Sequence, residues 1–214
     1  DIITTSGTMT LIGTGGAFAL PDCSGVYITG AGTSITAGAG GAISITGTAL
    51  GTGAVAVQRG VYMELGSTIA ATSTGTISIT GFGGTAGAIN GLEGVSIAGM
   101  GTTISTVNGN VTITGTGSAG TDSCDGVEIF GSDLITTGSG SYTIIGIAGA
   151  GTGTENDGIL FSGNYNSTAA VGGGSISMTG TGSPAGTGAE NDGIEVFSTA
   201  QMNTISGNIS LVGH

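Results

Sequence analysis

A glycine-terminated phrase recurs along this chain at a nearly constant interval, and that period limits the possible folds more than any other feature. The phrase is Ile-Ser-Ile-Thr-Gly with its variants, closing at Gly13, Gly47, Gly81, Gly115, Gly146, Gly180 and Gly213, at spacings of 34, 34, 34, 31, 34 and 33 residues. A second phrase, Gly-Val-Tyr-Ile with its variants, starts in step with it at Gly25, Gly60, Gly94, Gly126, Gly158 and Gly193. Repeats of this length stack as a quasi-one-dimensional array in which each unit touches only its neighbours. The chain therefore reads as one continuous solenoid over residues 1–214.

Each phrase alternates with a period of two, which puts every second side chain on one face of a β-strand. In the first phrase the pairs Met9/Leu11, Ile43/Ile45, Ile77/Ile79, Val111/Ile113, Tyr142/Ile144, Ile176/Met178 and Ile209/Leu211 point inward. In the second, Val26/Ile28, Val61/Met63, Val95/Ile97, Val127/Ile129, Ile159/Phe161 and Ile194/Val196 do the same, while Tyr27, Tyr62, Ser96, Glu128, Leu160 and Glu195 point out. A third, weaker stretch lies around Ile2, Ile35, Ile69, Ile104, Ile135 and Ile205, and its counterpart near Val171 is poor in apolar residues. The fold class expected is all-β: a parallel β-helix of about six to seven coils of roughly 34 residues, three short strands each, with glycine at the corners. No segment carries a 3.6-residue apolar stripe, and β-branched residues suit a pleated surface better than a helix.

Forty-eight glycines raise collagen and disorder as rival classes. Collagen fails because glycine does not occupy every third position. Disorder fails because 38% of the residues are apolar, only 7% are charged, and the apolar ones alternate. The charge is lopsided: thirteen acids face one cation, Arg59, for a formal net charge of −12. A basic patch for nucleic acid or anionic lipid is excluded. No apolar run reaches the ~18 residues of a transmembrane helix.

Eight of the thirteen acids precede the second phrase: Asp22, Glu93, Asp122, Asp125, Glu155, Asp157, Glu190 and Asp192. Immediately before its glycine the column reads Ser24, Arg59, Glu93, Asp125, Asp157, Asp192. Stacked about 4.8 Å apart, such carboxylates repel unless a cation lies between them. Asp125, Glu155, Asp157, Glu190 and Asp192 are therefore candidate Ca²⁺ ligands, the alternative being a solvated acidic edge. No other cofactor is implied. Arg59 is expected to pair with Glu93 one coil away, and Asn156 with Asn191 in an amide ladder. Cys23 and Cys124 sit three repeats apart, roughly 14 Å along the axis, too far to pair with each other. They are either small half-buried residues or partners of an intermolecular disulfide.

Two further surfaces suggest binding. Ser44, Thr46, Ser78, Thr80, Thr112, Thr114, Ser177 and Thr179 form an outward two-column hydroxyl grid, similar to the threonine arrays of ice-binding β-solenoids and suited to ice or a crystalline polysaccharide. Tyr27 and Tyr62 stack outward in adjacent coils, either as exposed cross-strand partners or as a small sugar platform. Catalysis has little to draw on. The one histidine is His214, aromatic residues are 4% of the chain, and β-helix enzymes acting on sugars need paired carboxylates in a groove, often with Arg or Lys, of which the chain has only Arg59. The expectation is a non-enzyme. Of the sequons at Asn110, Asn166 and Asn208, two fall inside strand phrases.

The phrases Asn110-Val111-Thr112-Ile113-Thr114-Gly115, Thr76-Ile77-Ser78-Ile79-Thr80-Gly81 and Asn191-Asp192-Gly193-Ile194 resemble the β-strand-repeat arrays of very large bacterial surface proteins. Those arrays are similar to filamentous-haemagglutinin and autotransporter passenger domains. The resemblance implies a right-handed β-helix secreted to the bacterial cell surface, serving as a fibre, surface layer or adhesin stalk. It brings no catalytic residues with it. Both ends of the sequence lie at nearly the same phase of the repeat, without polar capping segments. The expectation is a fragment of a longer array or a unit that associates with itself end to end or laterally, with host or environmental glycans as further partners and no membrane insertion.

Overall fold

Alternating Ile, Val, Ser and Thr place one apolar and one hydroxyl face on each short strand, and a single coil cannot bury its apolar face alone. The computed structural model describes residues 1–16, 23–51, 57–84, 90–163 and 168–214, and these stack as a parallel β-solenoid of about six turns. Asp22, Pro21 and the Asn166 sequon lie outside the described residues. No helix occurs among the described residues, and none is therefore long and apolar enough to cross a membrane.

Three parallel sheets of seven, seven and six strands form the walls. The first is built from the Ile-Ser-Ile-Thr-Gly phrase: Met9–Thr14, Ile43–Thr48, Ile77–Phe82, Val111–Thr116, Tyr142–Ile147, Ile176–Thr181 and Ile209–Gly213. The second comes from the Gly-Val-Tyr-Ile phrase: Val26–Thr29, Val61–Glu64, Val95–Ala98, Val127–Phe130, Ile159–Ser162 and Ile194–Phe197. The third is the weak stretch: Ile2–Thr4, Ser34–Ala37, Thr68–Ala71, Thr103–Thr106, Asp133–Thr136, Thr168–Val171 and Gln201–Thr204.

The core is one continuous cluster of stacked Ile, Val, Leu and Met columns through the middle coils. Each such buried side chain contributes roughly 1.5–3 kcal/mol. Tyr142 is the exception in kind: fully buried, it donates its phenol hydroxyl to the Ile104 carbonyl at 2.8 Å. That bond satisfies the polar tip inside an apolar column.

In the third sheet the inward positions are partly not the isoleucines that mark it in sequence. Ile104 stacks on Leu134, Leu134 on Ala169 and Ala169 on Met202, so Ile135 faces outward. Ile205 lies beyond its strand and is 87% exposed. A slip of one residue turns every side chain to the other face, and the 31-residue repeat ending at Gly146 hides this slip from sequence alignment. The apolar-poor stretch still forms a strand, with Ala169 and Val171 buried.

The glycines that close the first phrase are not corners. Gly47, Gly81 and Gly115 lie inside their strands and stack on one another in register. None of them has positive φ. Their role is close approach: a Cβ on Gly115 would come within 1.9 Å of the Gly126 carbonyl oxygen, and one on Gly126 within 2.2 Å of the Ile147 amide nitrogen. The two phrase glycines of each coil thus interlock where the first sheet turns into the second. Left-handed backbone recurs instead at other positions, among them the residue just after the second-sheet strand at Gly30, Leu65, Gly99, Gly131 and Ser198.

Candidate functional site

The outward face of the second sheet gathers aromatic and acidic side chains. One column reads Tyr27, Tyr62, Ser96, Glu128, Leu160, Glu195 in register. Beside it stand Thr29 and Glu64, then Ala98, Phe130, Ser162 and Phe197. The acidic column before the second phrase flanks both. A period-two strand aims all these residues outward because their neighbours fill the core.

At one end of this face Tyr27 and Tyr62 stack with ring centroids 5.2 Å apart and planes 3° from parallel. The Arg59 guanidinium lies 4.0 Å from the Tyr62 ring centroid and pairs with Glu93. Both phenols donate to the Glu64 carboxylate, as does Thr29. Partial burial alone would raise the Glu64 carboxyl, but these hydroxyls and Arg59 hold it below its ordinary range. Burial and the Glu64 acceptor push the Tyr62 phenol up. The Arg59–Glu93 pair is more enclosed than a surface ion pair, its side chains only 16% and 6% exposed.

The middle of the acidic column is a buried ladder, while Asp192 at its end and the neighbouring Glu155 and Glu190 are exposed. Glu93, Asp125 and Asp157 are each less than 5% exposed. The Asp157 amide donates to Asp125 Oδ1 at 2.8 Å, and the Asp192 amide to Asp157 Oδ1 at 2.6 Å. Carboxylates one coil apart therefore meet the next coil's backbone N–H, which relieves the repulsion expected of a bare stack. Asn156 continues the pattern: its Oδ1 accepts from the Cys124 amide, and its Nδ2 donates to Asn191 Oδ1 at 2.9 Å. The amide ladder is present.

Burial still dominates the acidity. Glu93 is pushed up to about 7 by burial and by the neighbouring Glu128 carboxylate, against Arg59. Asp157 is pushed up to about 7 by burial and by Glu195, against the Asp192 amide. Asp125 rises well above its ordinary value, burial again leading. Glu195 rises by burial, with Glu190, Asp192 and Glu155 adding to the effect and the Asp157 contact opposing it.

These groups wall a cleft of about 400 Å³ lined by Glu93, Asp125, Glu128, Phe130, Glu155, Leu160, Glu190, Glu195 and Phe197, with Ser123 at its edge. Ser123, Glu155 and Glu190 occupy equivalent places in successive coils and share left-handed backbone, at φ 53°, 55° and 59°. Of the residues singled out as calcium ligands, Asp125, Glu155 and Glu190 reach this cleft, Asp157 lies buried behind it, and Asp192 is exposed. Among the described residues no three His, Cys, Asp or Glu side chains converge to hold a metal ion. The sequence reading passed over Glu128, Glu195, Phe130 and Phe197 as site residues. Their outward register in the second phrase was the available signal.

Cys23 and Cys124 form no disulfide. Cys124 is fully buried against Leu92, and burial pushes its thiol up to about 11. An intermolecular bridge there would require the coil to open. The hydroxyl grid is in register: Ser44 over Ser78 over Thr112, and Thr46 over Thr80 over Thr114. Ile145 then interrupts the second column between Thr114 and Thr179.

Fold and face together define a parallel β-solenoid with one chemically distinct wall. No protein-family model matches the chain, and no curated protein or solved structure matches it significantly.

Proposed function

We propose that this solenoid is a structural rod of a bacterial cell-surface fibre, layer or adhesin stalk, extended by stacking further coils on its ends. The observation that carries the reading is the repetition of one coil design: three parallel sheets of seven, seven and six strands run in register around a continuous apolar core. In such an array each coil touches only its neighbours and templates β-pairing with the next, so length grows by adding coils.

Electron microscopy and fibre diffraction of the purified chain test this. Filaments with a meridional spacing of about 4.8 Å support stacking between copies. Monodisperse rods that stay monomeric at high concentration, without the spacing, count against it. A non-catalytic role in which length is the useful property fits the repetition of one coil design along the whole chain. The runner-up reading, a binding module for ice or carbohydrate, rests on the in-register hydroxyl columns of the first sheet. Ordinary disc-shaped ice growth, together with no retention on crystalline polysaccharide, would remove it.

A further inference from the structure

The first sheet is the wall of this solenoid that carries no charge. None of its outward positions is acidic or basic on any of the seven strands, although the chain has a formal charge of −12. The second sheet presents Glu64, Glu128 and Glu195, and the third presents Asp133. The two edges of the first sheet differ as well. Along one edge run the connections to the second sheet, which hold eight of the thirteen acids against Arg59 alone. Along the other run the connections from the third sheet, and these contain no acid or base.

A second observation is independent of charge. Phe82, Ile145 and Ile147 break into the hydroxyl columns in the middle coils and are 43%, 36% and 45% exposed. Phe82, Thr116 and Ile147 follow one another in one column, and Ile145 stands in the next. They interrupt the uniform hydroxyl spacing that a crystalline lattice would read, and they leave apolar surface in water. The face is also large enough to hold a partner. Seven strands of up to six residues cover about 34 by 20 Å at ordinary strand spacing and rise. Two such faces pressed together bury about 1,400 Å², above the ~1,000 Å² that a stable interface needs.

We propose that the first sheet packs face to face on the first sheet of a second copy, the two solenoids lying parallel about a two-fold axis along their length. Side-chain columns repeating at the strand spacing interdigitate with columns of the same period, so the surface is complementary to itself. A two-fold pair uses the same patch on both partners. The charge pattern selects the orientation. An axis along the solenoid sets each acid-bearing edge over the partner's uncharged edge. An axis across it makes the pair antiparallel and sets the two acid-bearing edges side by side, where they repel. Salt screens the repulsion that remains between two chains of like charge, so association strengthens as salt is raised. This lateral contact is distinct from axial stacking and does not depend on it.

Analytical ultracentrifugation and small-angle scattering of the chain at low and at high NaCl test the contact. Expected is a reversible dimer, favoured by salt, with the cross-section doubled and the length unchanged. Lengthening alone, at constant cross-section, would support axial stacking and overturn this contact. Thr114→Glu, in the middle column and middle coil of the face, is expected to weaken the dimer at least about tenfold by setting two carboxylates against each other. Ser105→Glu makes the same change of charge on the outward face of the third sheet and is expected to leave the dimer unchanged. Circular dichroism checks that both variants fold. Thr46→Cys and Thr179→Cys, two coils to either side of Thr114 in its column, report the orientation. In a parallel pair each variant oxidises to a disulfide-linked dimer on its own, with the unsubstituted chain as the blank for Cys23. A chain that stays monomeric at high salt and high concentration, a dimer weakened equally by both glutamates, or disulfides formed only when the two cysteine variants are mixed would overturn the proposal. So would a monomer retained on ice or crystalline polysaccharide through Thr114, because a lattice would then occupy the face.

Discussion

Substituting one phrase glycine for alanine probes the interlock between the first and second sheets. At Gly115 a Cβ would lie 1.9 Å from the Gly126 carbonyl oxygen, 2.7 Å from its carbon and 2.8 Å from Val127 Cγ2. Two of these three neighbours are backbone, so no side-chain rotation relieves the clash. Separating Cβ from the carbonyl to even 3.0 Å, a distance real Cβ contacts essentially never undercut, requires the strand or the turn to move by more than 1 Å. Movement is blocked on the far side, where Gly126 is itself wedged against the Ile147 amide of the next coil. The cost belongs at the upper end of core overpacking, about 3 kcal/mol or more. For a chain of this size that corresponds to a fall of roughly 6–12 °C in Tm. Gly173→Ala is the matched control: its nearest neighbour would be Ser206 Oγ at 3.6 Å, and its φ is not positive. It is expected to be neutral, or stabilising by about 0.4–1 kcal/mol through the unfolded chain. Thermal unfolding followed by far-ultraviolet circular dichroism compares the two. Transitions for Gly115→Ala and Gly173→Ala that agree within about 2 °C would refute the close-approach argument.

The buried acids give an unusual pH profile. Glu93 and Asp157 keep their protons up to about pH 7 when folded, but only to about pH 4 when unfolded. The folded state therefore binds more protons between those limits, and stability falls as pH rises from about 4 to 7. Tm is expected to be higher at pH 5 than at pH 7.5, and a flat or reversed profile removes the burial argument. Below about pH 4 the depressed Glu64 carboxyl works in the opposite sense and stability falls again. Arg59→Gln leaves the enclosed Glu93 carboxylate without its cation, at an expected cost of about 3 kcal/mol near pH 8. The loss should shrink at pH 5, where Glu93 is neutral; an equal loss at both values means that Arg59 acts by packing on Tyr62 instead. Tyr142→Phe removes the donor to the Ile104 carbonyl, expected to cost about 1 kcal/mol in urea unfolding. Because Asp125 and Asp157 each already hold a backbone amide, chelator is expected to leave the transition unchanged. A rise of several degrees with calcium would show that the carboxylates rearrange around the ion.

The repeat period and the period-two alternation were enough to place three strands in each coil, because inward Ile and Val must stack to be buried at all. Arg59 beside Glu93, Tyr27 on Tyr62 and Asn156 on Asn191 were also legible, since equal phase in a solenoid means contact in space. The third sheet was less so. Leu134 and Met202, rather than Ile135 and Ile205, continue its inward column, and a one-residue slip is invisible where Ala and Gly dilute the pattern.

What sequence alone determined is the one-dimensional part of this protein: a coil repeated, its apolar faces inward, its acids collected on one edge. The tertiary structure decided how those acids behave. Glu93, Asp125 and Asp157 are polar residues in a connection, and by composition they belong in water. Stacking encloses them: Arg59 of the preceding coil pairs with Glu93, and the next coil supplies an amide to Asp125 and to Asp157. The phrase glycines changed meaning for the same reason. Their spacing was evident in the sequence, but their necessity comes from a backbone carbonyl oxygen at 1.9–2.0 Å from where a Cβ on Gly47, Gly81 or Gly115 would stand, a contact that exists only once the coil has closed.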